Sequence, residues 1–333
     1  VKVLLTGATG FLGERVAAAL GAAGHEVVAL ARDPDRAPGG TVPLRGDLLD
    51  EESLARAVRG VDAVVHLAAL VKRWVRDRSL FDRVNVEAPR RLLDLALAAG
   101  VPRFLYCSSF MALGPTDGFV GDEDTEHPGD PRNDYERTKL ASDRRMRERQ
   151  RRGDPVVILY PGVVYGPGRM TDGNILAGAA RDLLTGKLPG TIGPGDRRQC
   201  LAFVEDVARG FVLALEKAAP GSRYVLGGEN LTVREALAIM AEAGGVPAPR
   251  RAIPYGVAKA IGRLLRWQAA LTGIEPMLTD EEVEVYRHEW AYSSARAERD
   301  LGYAITPARE GLSRMVRWLV EEGIARPRGR GRG

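Results

Sequence analysis

The segment Thr6-Gly7-Ala8-Thr9-Gly10-Phe11-Leu12-Gly13 follows directly on the short run Val1-Lys2-Val3-Leu4-Leu5 and opens a helical pattern. A strand that turns through glycine into a helix leaves few folds open. In this arrangement Gly7 permits a tight turn, Gly10 lets the backbone approach a pyrophosphate, and Gly13 lets the helix pack close to the strand. The helix N-terminus then offers unpaired N–H groups and a partial positive charge to that anion. Glycine triplets alone are weak evidence, but the strand before and the helix after are the context the motif requires.

The next two hundred or so residues repeat the strand-helix rhythm. Strands are expected at Val3 to Thr6, Glu26 to Ala31, Val61 to Leu67, Phe104 to Ser108 and Val156 to Tyr160. Helices are expected at Leu12 to Ala23, Ser53 to Val58, Phe81 to Ala99 and Tyr135 to Arg149. Such alternation predicts an α/β fold, a Rossmann-type doubly wound parallel sheet covered on both faces. After Pro161 glycine and proline cluster, and a helix Val204 to Lys217 and strand Tyr224 to Leu226 return to the sheet. From Gly228 the chain is mainly helical with proline-rich joints. The expected division is therefore a dinucleotide-binding domain of residues 1–164 and 201–227, and a smaller, mainly helical C-terminal substrate lobe of 165–200 and 228–325. Residues 326–333 form a basic tail. A chain of 333 residues has room for two such unequal lobes.

Composition narrows the function. Two cysteines, Cys107 and Cys200, and four scattered histidines give no disulfide framework and no metal-ligand spacing, so no metal is expected. The net charge is only +4. The arginine-rich stretch Arg144 to Arg152 and the basic tail lack the interleaved aromatic residues that a nucleic-acid surface wants, so nucleic acid is not an expected partner. No apolar run reaches membrane-spanning length and no leader is visible, which gives a cytoplasmic location without integral membrane contact as the expectation. A small-molecule substrate is the expected partner, and a homodimer is compatible with the class.

The Gly-x-x-Gly-x-x-Gly spacing resembles that of the short-chain dehydrogenase/reductase superfamily, and TGATGFLG resembles its extended branch, the NAD-dependent epimerases and dehydratases. Further stations agree along almost the whole chain. They are Gly46-Asp47-Leu48, His66-Leu67-Ala68-Ala69, Ser108-Ser109, Tyr135-x-x-x-Lys139, and Pro161-Gly162-Val163-Val164-Tyr165-Gly166-Pro167. Phe203 to Ala208 and Ser293 to Tyr303 match later landmarks. Within the branch, Trp74 and the run Tyr224 to Thr232 resemble dihydroflavonol-reductase-like proteins and the hopanoid-associated sugar epimerase group. The resemblance implies a nicotinamide cofactor held by Gly7, Thr9, Gly10, Phe11, Leu12, Gly13, Asp47, Leu48, Leu67, Ala68, Ala69, Pro161, Val163 and Val164.

Tyr135 and Lys139 stand four apart on an expected helix and project from one face. They lie downstream of Ser109 at a strand's C-terminal end, where open α/β sheets place ligands. Carbonyl reduction by hydride needs a proton donor. A phenol with a pKa of about 10 exchanges protons poorly near neutrality, and a shift of ~3 units takes roughly 4 kcal/mol of phenolate stabilisation. The Lys139 ammonium and an oxidised nicotinamide are the expected sources. The resemblance adds a Lys139 contact to the nicotinamide ribose. Ser109 is expected to bind the substrate oxygen, with Ser108 pointing away. Asn85 is the fourth catalytic candidate. Pro89 has no N–H to bond its carbonyl in a continuous helix, which frees that carbonyl to hold a relay water toward Lys139; the alternative is a plain helix kink.

At the end of the second strand Ala31 stands where NAD enzymes carry an acid, and Arg32 is placed to meet a 2′-phosphate. NADP(H) is the preferred cofactor, with NAD(H) as the alternative should Asp33 serve as the acid. Trp74, Met111, Tyr165 and Met170 are candidate substrate-lining residues, with core packing as the competing reading. Arg169, Arg197 and Arg198 would clamp a diphosphate in a nucleotide-sugar epimerase. The acidic run Asp122 to Glu126 reads as solvated surface. Tyr255 to Leu271 is a basic amphipathic pattern that fits either a lobe-capping helix or one lying on a membrane. The expected function is reduction of a carbonyl on a small, largely apolar substrate. The alternatives are a nucleotide-sugar epimerase with tightly held cofactor and a non-catalytic nucleotide-binding regulator.

Overall fold

The computed structural model describes residues 1–328. Its strands are β1 (Lys2–Thr6), β2 (Glu26–Ala31), β3 (Val42–Arg45), β4 (Ala63–His66), β5 (Phe104–Cys107), β6 (Val156–Pro161), β7 (Val163–Tyr165), β8 (Thr191–Ile192), β9 (Arg198–Phe203), β10 (Arg223–Leu226), β11 (Asn230–Thr232) and β12 (Ala252–Ile253). Seven of them form one sheet in the order β10-β6-β5-β4-β1-β2-β3, every pair parallel. The strand order reverses beside β1, so a crevice opens at the C-terminal ends of β1 and β4.

Both faces of the sheet are buried, which is why its strands read as near-continuous apolar runs. Along β1, Val3 and Leu5 enter one core with Val16 and Leu20 of helix α1 (Phe11–Ala22). Leu4 enters the opposite core with Leu54 of α2 (Glu51–Ala57). The chain then forms the short helix α3 (Ser79–Asp82) and α4 (Ala88–Ala98), joined by a π-helical turn over Arg83–Glu87. The expected single helix from Phe81 to Ala99 is thus broken ahead of Pro89, and Ala88 N–H reaches back five residues to the Arg83 carbonyl. Helix α5 (Asp134–Arg151) completes that face.

The smaller lobe holds α6 (Ile175–Leu184), a three-stranded sheet β11-β9-β7 and the two-stranded pair β12-β8. Because β7 pairs with β9, both strands straddle the expected boundaries after residue 164 and before 201. Helix α7 (Val204–Lys217) returns to the large sheet, packing Val207 and Phe211 into the core shared with α1. α8 (Val233–Ala243) belongs to the lobe, followed by α9 (Tyr255–Thr272) and α10 (Asp280–Val285). α11 (Ala295–Leu301) lies against α7, and α12 (Ala308–Glu321) packs Leu312 and Met315 onto Leu183 and Met240. Of the basic tail, Arg328 N–H bonds the Leu184 carbonyl at 3.0 Å; residues 329–333 lie outside the described residues.

Candidate functional site

The glycine turn is fixed by close backbone approach. Gly7 has φ +76°, and a Cβ there would stand 2.7 Å from the Ala68 backbone nitrogen in the loop leaving β4. A Cβ on Gly13 would stand 2.0 Å from the Gly7 carbonyl oxygen. Gly10 precedes α1 with no side chain capping the helix, so the N–H groups of Phe11, Leu12 and Gly13 face the turn without helical partners. Thr6 ties the crevice together: its hydroxyl lies 2.8 Å from His66 Nδ1 and 3.4 Å from Ala68 N. Burial, and secondarily Lys139, holds the His66 imidazole down to about 3, so it is neutral at physiological pH.

At the far end of the crevice Arg32 is exposed and makes no ion pair among the described residues. Asp33 caps the turn Pro34–Arg36, accepting from Asp35 N–H at 3.3 Å. Gly46 N–H bonds the Ala31 carbonyl, which brings Asp47 and Leu48 alongside Arg32. The Asp47 carboxylate accepts from Leu49 N–H at 2.9 Å. Pro161 closes β6, and Val163 and Val164 follow, with Gly162 N–H bonded to the Leu226 carbonyl.

Helix α5 starts at a firmly held point. Asn133 accepts from Glu136 N–H at 2.8 Å. The buried Glu136 carboxylate meets His127 Nε2 at 2.9 Å and Arg132 at 2.6 Å. Tyr135 and Lys139 leave this helix toward the end of β5. Lys139 donates to the Cys107 carbonyl at 2.9 Å and lies 5.8 Å from the centre of the Tyr135 ring. Ser109 lies close enough to the Tyr135 phenol to favour its ionised form, and its Oγ accepts from Met111 N–H at 3.2 Å, while Ser108 donates to Asp143 Oδ1 at 2.9 Å on the other side of the chain. Lys139 is not among the groups that shift the Tyr135 phenol pKa in the chain alone. Burial and the nearby Cys107 thiol raise it, and the Ser109 contact offsets only part of that rise. Burial also lowers Lys139, against the opposing pull of Cys107 and Asp143.

Asn85 sits in the π-helical turn, and its side chain has a job that spacing did not reveal. Its Oδ1 accepts from Leu70 N–H at 2.7 Å, and its Nδ2 donates to the Leu70 carbonyl at 3.2 Å and to Thr138 Oγ1 at 3.1 Å. Thr138 and Leu70 were invisible to sequence reasoning because these contacts join separate segments.

The candidate substrate residues divide. Trp74 is half-buried in the loop after β4, and Met111 is half-buried on the turn just beyond Ser109. Met170 is exposed. Tyr165 is corrected: it is fully buried, 5.7 Å from the Phe203 ring, with its hydroxyl against Gly311 in the lobe core. Two of the clamp arginines are engaged, Arg169 with Glu14 at 2.9 Å and Arg198 with both carboxylate oxygens of Glu289. The acidic run is exposed at Asp122, Asp124 and Glu126, as expected, and is corrected only at Glu123. Glu123 is buried and accepts from Val225 N–H at 2.6 Å, and Asp124 pairs with Arg223 at 2.7 Å.

A parallel sheet with a glycine turn at its switch point, beside a Ser, a Tyr and a Lys, defines a dinucleotide-dependent oxidoreductase class. The NAD dependent epimerase/dehydratase family matches residues 3–227, and the chain belongs to that family. It is 33% identical to the Sterol demethylase protein B of Methylococcus capsulatus, over 97% of this chain and 100% of that one. It is 30% identical to the 2-alkyl-3-oxoalkanoate reductase of Stenotrophomonas maltophilia, over 95% and 98% respectively. Among solved structures, a Thermus thermophilus UDP-glucose 4-epimerase in complex with NAD superposes with a TM-score of 0.75 at 25% identity, covering 96% of this chain and 99% of that chain.

Proposed function

We propose that this enzyme is an NADP(H)-dependent reductase of a carbonyl group on a small, largely apolar substrate. The observation that carries the reading is the convergence of Ser109, Tyr135 and Lys139 at the end of β5, next to a glycine cradle in which Gly7 and Gly13 leave no room for a Cβ. When bound, the reduced nicotinamide supplies the hydride. Tyr135 gives the proton to the developing alkoxide, and Ser109 holds the reacting oxygen by a hydrogen bond. A phenol kept protonated by burial is in the form that reduction uses; alcohol oxidation would need it ionised. Lys139 contacts the ribose and supplies positive charge beside the phenol. Asn85 positions the loop that follows β4, and the carbonyl it presents near Pro89 holds the relay water. Arg32, with no acidic partner among the described residues, meets the 2′-phosphate.

The apolar class is supported by Met111, on the turn just beyond Ser109, and by the pairing of Arg169 with Glu14 and of Arg198 with Glu289, which a diphosphate would have to displace. The relative named for reduction of 2-alkyl-3-oxoalkanoates points the same way. The test is loss of reduced-nicotinamide absorbance with a panel of apolar ketones, beside a UDP-sugar interconversion assay. Net NADPH consumption with exchangeable cofactor is expected. Sugar interconversion without net consumption, on tightly retained nucleotide, would replace this reading by the epimerase.

A further inference from the structure

We propose that the outward face of α9 docks this protein on an anionic lipid surface; the inference rests on the reading of the site as one for an apolar carbonyl compound. The residues α9 turns inward are small. Ala258, Gly262 and Ala269 are buried, and Gly262 approaches α10 so closely that a Cβ would stand 2.5 Å from the Asp280 nitrogen. Its large apolar side chains point the other way. Val257, Ile261, Leu264, Trp267 and Leu271 recur at spacings of three and four and are all exposed, the last three at 63 to 66%. Ile274 and Met277 extend the stripe at 72% and 80% exposure. A continuous apolar surface of this kind marks an interaction site.

Charge decides the occupant. From Arg250 to Met277 the chain carries five basic residues and one acidic residue, Glu275, which is paired with Lys72. The ion pairs beneath the stripe put the carboxylate inside and the cation outside. Arg263 is 65% exposed, whereas its partner Asp280, 3.5 Å away, is 9% exposed. Lys259 with Glu284 and Arg266 with Glu281 follow the same order. An apolar stripe with outward cations at its rim complements acyl chains and anionic headgroups together. A second copy of the chain would instead bring the same cationic rim against itself. Docking would be peripheral, since no helix among the described residues is long and apolar enough to cross a membrane.

The stripe is mechanically joined to the site. Lys72 pairs with Glu275 at 2.6 Å, and Arg73 pairs with Glu282 at 3.1 Å. Arg78 pairs with Glu281 and with Asp134, the residue before Tyr135. The loop carrying Trp74 thus spans from the lipid-facing segment to the start of the catalytic helix.

The full chain should cosediment with vesicles of phosphatidylcholine and phosphatidylglycerol, and much less with phosphatidylcholine alone. Vesicle binding should shift tryptophan emission to the blue, a signal that Trp267→Phe removes while binding persists. The exposed double variant Leu264→Ser/Leu271→Ser should lower the vesicle partition coefficient at least about tenfold and leave turnover of a water-soluble ketone unchanged. No cosedimentation of the wild type, or undiminished binding by the double variant, overturns the proposal. So does a lipid-free dimer that the double variant converts to monomer, which would assign the face to a second copy. Vesicle binding needs no turnover, so failure to reduce any ketone would count against the reading of the site alone.

Discussion

Asn85 and Leu70 are joined by two hydrogen bonds, the Asn85 amide accepting from the Leu70 N–H and donating to the Leu70 carbonyl. The same amide donates to Thr138, one residue before Lys139, so a single side chain fastens the loop after β4 to the helix that carries Tyr135. Asn85→Ala leaves both Leu70 backbone groups without partners, and an unpaired buried group costs about 1–3 kcal/mol. A lowered Tm and weakened cofactor binding are expected together, the second because Leu67 to Ala69 lie in the released loop. Unchanged cofactor affinity in a destabilised Asn85→Ala would show that the loop keeps its place without the clamp.

Tyr135→Phe removes the proton donor and the Ser109 contact but leaves the glycine cradle intact. Turnover of a confirmed ketone should fall by orders of magnitude, with the NADPH dissociation constant nearly unmoved. Lys139→Ala should harm both quantities. Near-full activity in Tyr135→Phe would remove this residue from the catalytic role.

Arg32→Ala should weaken NADPH binding about 10- to 100-fold, since a charge-assisted hydrogen bond contributes roughly 1.5–3 kcal/mol. NADH binding should barely change. Asp33 is occupied as a turn cap, so it is not expected to take over as the ribose-binding acid. Equal losses for the two cofactors, read by fluorescence titration, would assign Arg32 another task.

Local chemistry made much of this legible. The roles of Gly7 and Gly13, the opposed directions of Ser108 and Ser109, and the shared face of Tyr135 and Lys139 all follow from turn geometry and from helix and strand periodicity. What stayed hidden depends on partners far along the chain. β3 is a short edge strand with mostly exposed residues and a proline, so it carries no apolar pattern. Tyr165 reads equally as a substrate-lining or a core residue, and it is Phe203 and Gly311, from distant segments, that enclose it. Glu123 looked solvated within an acidic run, and only the return of β10 gives its carboxylate a backbone N–H to accept.

Asp143 gives a pH-dependent signature. Burial raises its carboxyl from 3.8 to about 6, with Arg147 pulling the other way. The folded chain therefore keeps a proton that the unfolded chain releases, and this contribution to stability is full below about pH 4 and lost as pH rises through about 6. Asp143→Asn keeps an acceptor for the Ser108 hydroxyl and does not ionise. The Tm of the variant relative to wild type should rise steadily between about pH 4 and pH 7 and be flat above. Parallel Tm curves for the two proteins would show that Asp143 does not titrate in that window.

Helix α1 contains two glycines whose replacement by alanine should act in opposite directions. At Gly13 the new methyl would lie 2.0 Å from the Gly7 carbonyl oxygen and 2.9 Å from Ala8 Cα, and both are backbone atoms with no rotamer to yield. The turn or the helix must move, at a cost above about 2 kcal/mol. That movement also displaces the N–H groups of Phe11 and Leu12, so NADPH affinity should fall along with stability. At Gly21, two turns further along, nothing lies within 4 Å of the added methyl. There the substitution only reduces the freedom of the unfolded chain and improves helix propensity, so Gly21→Ala should gain up to about 1 kcal/mol with cofactor binding unchanged. Thermal melts and NADPH titrations of the two variants test the cradle directly. A Gly13→Ala protein as stable as Gly21→Ala, with wild-type affinity, would mean that the close approach of α1 to the turn is not what shapes the phosphate site.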